Sequence, residues 1–255
     1  AEATGGRLAV LGTPAEEGGA GKVYMVREGL FDDVDAVLHW HAGDRNSASA
    51  SSSLANKSAK FRFHGLSAHA AGAPERGRSA LDGVEAMNAM VNMLREHVPQ
   101  ETRIHYVITS GGAAPNVVPD FAEVYYYVRN PDPNNVVAIF DRVVKAAQGA
   151  ALGTETRMEF EVIHGIYALL PNETRARRMY ESLERVGGVE YTEKERQFGE
   201  VLQQSFTNDV LPLSSAAEVQ EFYVTDEGSS GSTDVGDVSW VVPTAGLRTA
   251  TWVPG

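Results

Sequence analysis

The 255-residue sequence contains no cysteine, so it can form neither a disulfide framework nor a thiolate metal site. It also lacks an apolar run long enough to span a membrane, and no basic, apolar leader stands at its start. These absences predict a cytoplasmic protein, and any metal that it binds must use oxygen or imidazole ligands.

Basic residues are also scarce. The chain has 22 lysines and arginines against 34 acidic residues, which gives a net charge of -12. Nucleic acids and anionic membranes bind positive surfaces, because those surfaces replace their counterions. We therefore expect neither of them as a partner. The length suffices for one large domain or two ordinary ones.

The first part of the chain has a strand, helix, strand pattern. The apolar run at 7–13 predicts a buried parallel strand, residues 21–31 have near-helical apolar spacing, and residues 34–41 predict the next strand. In such units the loops at the carboxyl ends of parallel strands meet at one rim, where α/β proteins bind ligands. We therefore expect the loop at 12–22 and His41 to share that rim.

The middle of the chain has a different pattern. A Ser-rich stretch at 47–58 predicts a linker. After it, strands are expected at 59–65, 103–111, 121–130 and 157–165, and helices at 79–98 and 135–152. This βαββαβ order is that of a ferredoxin-like domain. The sequence thus predicts a discontinuous α/β catalytic-type domain (1–53 and 168–255) interrupted by an inserted βαββαβ domain (54–167).

The last part resumes a helical pattern at 172–187. A Gly/Ser-rich loop and a short apolar strand are predicted within 226–244. The stretch 193–221 has no clear pattern, and an extended loop and a broken helix are both open for it.

Two adjacent acids, Glu16 and Glu17, stand in a loop with Gly18, Gly19 and Gly21. They could simply favour the first turn of the following helix, where the macrodipole attracts carboxylates. Alternatively, one carboxylate could bind a metal ion while the other takes a proton from water. A divalent cation would also relieve the repulsion between them. A phosphate-binding loop is excluded because the Gly-Lys-Ser/Thr ending is missing.

His39 and His41 are two residues apart on the predicted strand and so face the same side. A lone histidine commonly packs in a core or caps a strand. Beside a carboxylate doublet, however, neutral imidazole suits zinc or manganese. We predict that His41, nearer the rim, is a metal ligand and that His39 has a structural or supporting role.

Three segments together, "GTPAEEGGAGK", "HGLSAHAAGAPERGRSALDGVEAM" and "APNVVPDFAEVYYYVRN", resemble the M20 family of metallopeptidases and amidohydrolases, in its aminoacylase-like branch. The resemblance covers nearly the whole chain. It implies a catalytic α/β domain with two divalent metal ions, zinc or manganese, and an inserted dimerisation domain. It also implies hydrolysis of amide bonds in N-acyl or N-aroyl amino acids resembling p-aminobenzoyl-glutamate, by a homodimer or a heteromer with a sister subunit.

The resemblance also implies residue roles. Glu16 would be the general base, and Glu17 and His41 would be metal ligands. His69 would stabilise the oxyanion, often across a dimer interface, and Asn116 and Arg129 would bind the substrate. Arginine can hold a substrate carboxylate in a bidentate fork.

Several of these residues have plainer alternatives. His69 could be a loop histidine, Asn116 a turn former, and Arg129 the partner of a surface acid. The tyrosines at 125–127 alternate faces, and sheet packing is favoured for them over a substrate platform. Asp234 could orient a ligand, although capping the following helix is the favoured role.

The chain departs from the family pattern. A His/Asp or Cys/His motif that normally precedes the acidic doublet is missing, and so is a final histidine ligand. We therefore expect an incomplete portion of a longer hydrolase, with a partial metal site and no activity alone. The alternative is a non-catalytic dimerisation or binding module with a degenerate metal site.

Overall fold

The computed structural model describes residues 5–207, 210–225 and 231–255. These residues form a mixed arrangement of helices and strands, which confirms the α/β class. The helices are α1 (Gly21–Arg27), α2 (Ala80–Leu94), α3 (Pro133–Gly153), α4 (Glu173–Val186), α5 (Glu193–Gln203) and α6 (Val235–Ser239). The strands are β1 (Val37–Gly43), β2 (Ala50–Ser51), β3 (Ala55–His64), β4 (Arg103–Ser110), β5 (Phe121–Asn130), β6 (Arg157–Ile166), β7 (Val224–Thr225) and β8 (Thr244–Ala250).

The largest sheet is antiparallel and has the strand order β4-β5-β3-β6. β5 shows why this sequence forms a strand with two different faces, because its residues alternate between buried and half-buried. Val124 and Tyr126 point into the core, whereas Tyr125 and Tyr127 face the other way. One face of the sheet is therefore apolar and the other is polar.

Helices α2 and α3 cover the apolar face. The buried stripe of α2 includes Val84 and Met87, which belong to the same core as Phe61 and Val124. Phe61 meets Tyr126 edge to face, with ring centroids 5.8 Å apart. The polar face has no helix over it among the described residues, and this leaves room for the functional residues.

The other part of the chain is built around β1 and β8, which pair in parallel from Val37 opposite Thr244 onward. Its core is small and centres on Phe31, Val238 and Val242. Asn46 links β8 to the segment around Ala216. Its Nδ2 donates to the carbonyl of Ala216 (2.7 Å), and its Oδ1 accepts from the backbone N–H of Ala250 (3.0 Å). Buried polar groups of this kind are normally satisfied by such hydrogen bonds.

Three sequence predictions are wrong. Residues 7–13 form no strand, and Leu8 and Val10 are more than 90% exposed. A parallel strand needs a neighbour to bond with its backbone, and no described strand lies beside this segment. The stretch 47–58 is not a free linker. Its small side chains allow close packing, Ala48 and Ala50 are buried, and β2 and β3 begin within it.

The third error is the apolar strand expected near the end of 226–244. Residues Val235–Ser239 form α6 instead, and Val238 and Val242 pack beside Phe31. The strand β8 starts after Pro243, at Thr244. The predicted Gly/Ser-rich loop lies partly at 226–230, outside the described residues. Helix α5 begins the stretch 193–221, which agrees with the broken helix that was one of its two alternatives.

Candidate functional site

The acidic doublet lies in a tight turn, residues 14–20, which we call the acidic loop. Its left-handed positions are Ala15 (φ 60°) and Ala20 (φ 50°) rather than the glycines. Non-glycine residues adopt this conformation at a cost, and such strain is concentrated at functional sites. Gly21 is needed for a different reason, since a Cβ there would lie 2.1 Å from the carbonyl oxygen of Pro14.

The two acids differ in their surroundings. Glu16 is half-buried, and its Oε1 accepts a hydrogen bond of 2.7 Å from the hydroxyl of Thr233. Glu17 is exposed, and neither a hydrogen bond nor an ion pair holds it within the described part of the chain. Glu16 is therefore held in one orientation, as a proton-transfer group requires, while Glu17 stays free to bind.

Asp234 fixes Lys22, which lies just after the acidic loop. It is fully buried, and its carboxylate accepts from the backbone N–H of Lys22 (3.0 Å) and from Lys22 Nζ (2.8 Å). Its side chain makes no cap on α6, so the favoured capping role is wrong. The carboxylate is instead used by the first turn of α1, where the helix dipole stabilises a negative charge.

The two histidines of β1 also differ. His39 lies opposite Gly246 on β8, so tightly that a Cβ on Gly246 would be 2.1 Å from its Nε2. Burial lowers the pKa of His39 to about 4, and the charge of Lys22 adds to this. His41 is exposed, and its Nδ1 lies 2.6 Å from the carbonyl of Ala42. Because that nitrogen must donate, Nε2 keeps a free lone pair, as in metal-binding histidines.

Arg129 lies at the end of the sheet where β5 stops, on the polar face. Its guanidinium sits over the ring of Tyr127 at 5.3 Å, and its Nε is buried without a partner among the described residues. His164, on β6, shares this end of the sheet. Its Nδ1 is 2.9 Å from the hydroxyl of Ser58, and its Nε2 is 3.1 Å from Nδ2 of Asn56.

The acidic loop faces this end of the sheet. Burial lowers the pKa of His164, while a hydrogen bond with the backbone of Gly18 acts in the opposite direction. Burial and the hydroxyl of Tyr125 raise the pKa of Tyr127 to about 12, and the charge of Glu17 contributes. The structure therefore brings the acidic doublet and Arg129 to one cleft, between the acidic loop and the polar face.

His69 and Asn116 form a second group. Their segments run antiparallel, and the backbone N–H of Ala70 donates to the carbonyl of Asn116 (3.0 Å). Nδ1 of His69 accepts from the backbone of Gly72 (3.0 Å) and of Ala71 (3.2 Å). Its Nε2 must then carry the proton, and this exposed N–H is available as a donor.

The two groups are far apart within one chain. Asn116 precedes Phe121, where β5 begins, whereas Arg129 stands near its end. Eight residues of extended chain separate these ends by about 27 Å. One copy of the chain therefore does not place His69 and Asn116 beside the acidic loop.

Two predicted metal ligands remain available, although no contact among the described residues joins one to the other. Glu17 offers a carboxylate and His41 offers a free imidazole nitrogen, both suitable for zinc or manganese. Within the described ranges, however, no three histidine or acidic side chains come together as a metal site would require. The described residues therefore do not form a complete metal centre.

Sequence reasoning missed three contributors to the cleft: Thr233, Lys22 and His164. Thr233 and Lys22 each bond to residues more than 200 positions away, so no local pattern shows them. His164 had a weak signal, because it is a histidine flanked by Ile163 and Gly165 on a predicted strand.

Residues 55–155 match the peptidase dimerisation domain of the M20 family. Over 94% of its length the chain is 42% identical to one of the subunits of p-aminobenzoyl-glutamate hydrolase from Escherichia coli, and it covers 55% of that protein. It is 30% identical to the Xaa-Arg dipeptidase of Mus musculus, over 93% of this chain and 48% of that one. The chain therefore contains an M20 dimerisation domain and is similar to these relatives over nearly its whole length, which confirms the resemblance that the motifs predicted.

The fold is also shared with solved structures. An aminobenzoyl-glutamate utilization protein from Klebsiella pneumoniae superimposes on 92% of this chain and 55% of its own, with a TM-score of 0.65 and 22% identity. The chain therefore spans about half the length of the relatives that it matches. No described helix has the length and apolar character needed to cross a membrane.

Proposed function

We propose that this chain forms part of a metal-dependent hydrolase that cleaves the amide bond of N-acyl or N-aroyl amino acids resembling p-aminobenzoyl-glutamate. The observation that carries the proposal is the cleft in which the acidic loop faces Arg129. A carboxylate poised for proton transfer and an arginine able to hold a carboxylate are what this reaction needs. The 42% identity to a p-aminobenzoyl-glutamate hydrolase supports it.

Each candidate residue has a role in this proposal. Glu16, oriented by Thr233, takes a proton from the attacking water and passes it to the leaving amine. Arg129 holds the carboxylate of the amino acid, and Asn116 contributes to substrate binding. The Nε2–H of His69 stabilises the negative charge that develops on the amide oxygen.

The metal ions, zinc or manganese, would supply Lewis acidity at the amide carbonyl and a lowered pKa for the attacking water. Glu17 and His41 are the residues of this chain that would hold them. Two ions per complete protein are proposed, with further ligands from outside this sequence. A cytoplasmic location is proposed on the lack of cysteine.

The domain arrangement is part of the same proposal. Residues 54–167 would be an inserted ferredoxin-like domain, and 1–53 with 168–255 part of the catalytic domain. The strand order β4-β5-β3-β6, with both helices on one face, supports this assignment. The match to a dimerisation domain supports a role in assembly.

The edge strand β4 is where we propose that a second copy, or a sister subunit, pairs. Val107 is 55% exposed and Ile108 is 40% exposed, and an apolar unpaired edge invites another strand. A two-fold axis makes the two β4 strands antiparallel. The partner's Asn116 follows the carboxyl end of the partner's β4, and the partner's His69 lies beside the partner's Asn116. Both then approach the end of this chain's sheet at which Arg129 lies. Such pairing would bring the two groups of candidate residues together.

The experiment that tests the function uses the longest natural protein that contains this sequence. With p-aminobenzoyl-glutamate as substrate, Glu16→Ala should abolish turnover while the metal content, measured by inductively coupled plasma mass spectrometry, stays near that of the unchanged protein. Turnover that survives the substitution would refute the role of Glu16 as the base.

A second candidate function is a non-catalytic dimerisation or binding module with a degenerate metal site. It is favoured by the lack of a three-residue ligand set in the described ranges. The two candidates differ in stoichiometry, because a module without metal chemistry would hold no ion even in the longest natural protein. About two ions per chain would refute it.

A further inference from the structure

Two arginines face each other directly across the polar face. Arg103 on β4 pairs in register with Arg129 on β5, so their side chains share one face with their Cα atoms about 4.5–5.5 Å apart. Like charges placed directly opposite destabilise a sheet. In the part of the chain that the structure describes, no acidic side chain pairs with either arginine.

The opposite end of the same face is different. There Arg62 donates to Glu123 (2.7 Å) and to Glu161 (2.8 Å), and Lys60 lies 3.4 Å from Glu123. The sequence thus supplies acids wherever basic side chains crowd that end. At the end near the acidic loop, no such ion pair is made by Arg103 or Arg129 among the described residues.

Part of each guanidinium remains available. Arg103 uses Nη1 to donate to the carbonyls of Gln100 (2.8 Å) and Thr102 (2.9 Å), and its other nitrogens have no partner among the described residues. Arg129 contacts the Tyr127 ring but leaves Nε without an acceptor within the described ranges. Asn56, the neighbour of Arg129 on β3, is 3% exposed, and its Oδ1 also lacks a described partner.

The positive field reaches neighbouring groups. His105 lies two residues after Arg103 on β4. Its pKa is lowered first by burial and then by the charges of Arg129, Arg95 and Arg103. The pKa of His164 is lowered by burial, with Arg129 contributing in the same direction. Both histidines are therefore favoured in their neutral forms, and they do not add positive charge that competes with the two arginines.

We propose that Arg103 and Arg129 together form a dicarboxylate site, in which Arg129 binds the main-chain carboxylate of the substrate and Arg103 binds its side-chain carboxylate. The strand register makes the two side chains direct cross-strand neighbours on one face, within reach of one dicarboxylate ligand. The inference rests on the proposed function and narrows its substrate class to N-acyl acidic amino acids.

The first experiment measures binding without turnover, in the longest natural protein that contains this sequence. Isothermal titration compares glutarate, with two carboxylates, with butyrate, which has one. Glutarate should bind about tenfold more tightly, because a second charge-assisted contact forms. Arg103→Gln should remove this preference, whereas Arg157→Gln, at the other end of the sheet and paired with Glu159, should keep it. Equal binding of the two acids by the unchanged protein overturns the proposal.

The second experiment measures turnover of N-(p-aminobenzoyl)-glutamate and N-(p-aminobenzoyl)-glutamine. Arg103→Gln should raise KM about tenfold for the glutamate compound and leave both kcat and the glutamine compound unchanged. If Arg103 only ties the loop at 100–102, both substrates change alike, and the proposal is refuted. A protein that binds glutarate as expected but cleaves neither compound would refute the hydrolase function while keeping the dicarboxylate site.

Discussion

Lys22 and Asp234, separated by 212 positions in the sequence, form a buried ion pair with Nζ and Oδ1 2.8 Å apart. The side chain of Asp234 is 1% exposed and that of Lys22 is 11% exposed. The pair fixes the start of α1, and hence the acidic loop, to the segment that carries Thr233. The orientation of Glu16 depends on that segment.

We expect Lys22→Met to destabilise the protein by about 3 kcal/mol, because it leaves a buried carboxylate without its counter-charge. The double variant Lys22→Met with Asp234→Leu should recover part of this loss, since no charge remains buried. Urea denaturation measures both values. Loss of the exposed Glu193–Arg196 pair through Glu193→Gln should leave stability unchanged. An equally small effect of Lys22→Met would contradict the structural role of the pair.

Gly83 lies inside α2, where alanine would normally be preferred. A Cβ at this position would stand 2.5 Å from Cδ1 of Phe63, a fully buried ring. Gly83→Ala should therefore cost about 1–3 kcal/mol through overpacking, despite its better helix propensity. Gly153→Ala, at the end of α3 with open space around it, is the matched control and should be neutral or slightly stabilising. Thermal unfolding that ranks the two variants in the reverse order would contradict this packing.

His164 predicts a dependence of stability on pH. Its pKa is lowered in the folded protein, mainly by burial, from an ordinary value of 6.5. Below pH 6.5 the unfolded chain therefore binds more protons at His164 than the folded chain does. The free energy of unfolding consequently decreases as the pH falls below 6.5. His164→Gln removes the titration.

The urea midpoint of the unchanged protein should accordingly drop more between about pH 7.5 and pH 5 than that of the His164→Gln variant. Parallel curves for the two proteins would show that His164 does not contribute to this dependence.

The proposed pairing at β4 predicts an effect of charge on assembly. Ile108→Glu places a carboxylate on the exposed edge and should shift the protein from dimer to monomer in sedimentation velocity, with the dimer dissociation constant raised at least about a hundredfold. Val162→Glu puts the same charge on β6, the other edge of this sheet, and should leave the dimer intact. Dissociation by Val162→Glu alone would move the interface to β6.

The local sequence pattern was sufficient to predict the helices and strands that bury one face. The alternation in β5 and the helical stripe of α2 are visible in the sequence, because side-chain period and burial coincide there. The tyrosines follow the same rule. As the alternation predicts, Tyr126 packs in the core, whereas the hydroxyls of Tyr125 and Tyr127 lie on the polar face.

The site itself depends on contacts between distant segments. The motif residues Glu16, Glu17 and Arg129 could be named from the sequence, but the Thr233 hydroxyl on Glu16 and the opposition of Arg103 and Arg129 follow from tertiary structure and strand register. The same limit explains the failure at 7–13. Its apolar composition is typical of a strand, yet composition does not provide a hydrogen-bonding neighbour.

The exposed segment that contains Leu8 and Val10 has a practical consequence for handling the chain. An extended, apolar stretch with free backbone groups is a template for intermolecular β-structure and nucleates aggregation in concentrated solution. Preparations of this sequence should therefore precipitate during concentration. Replacing Val10 with lysine would act as a gatekeeper charge and keep the material in solution.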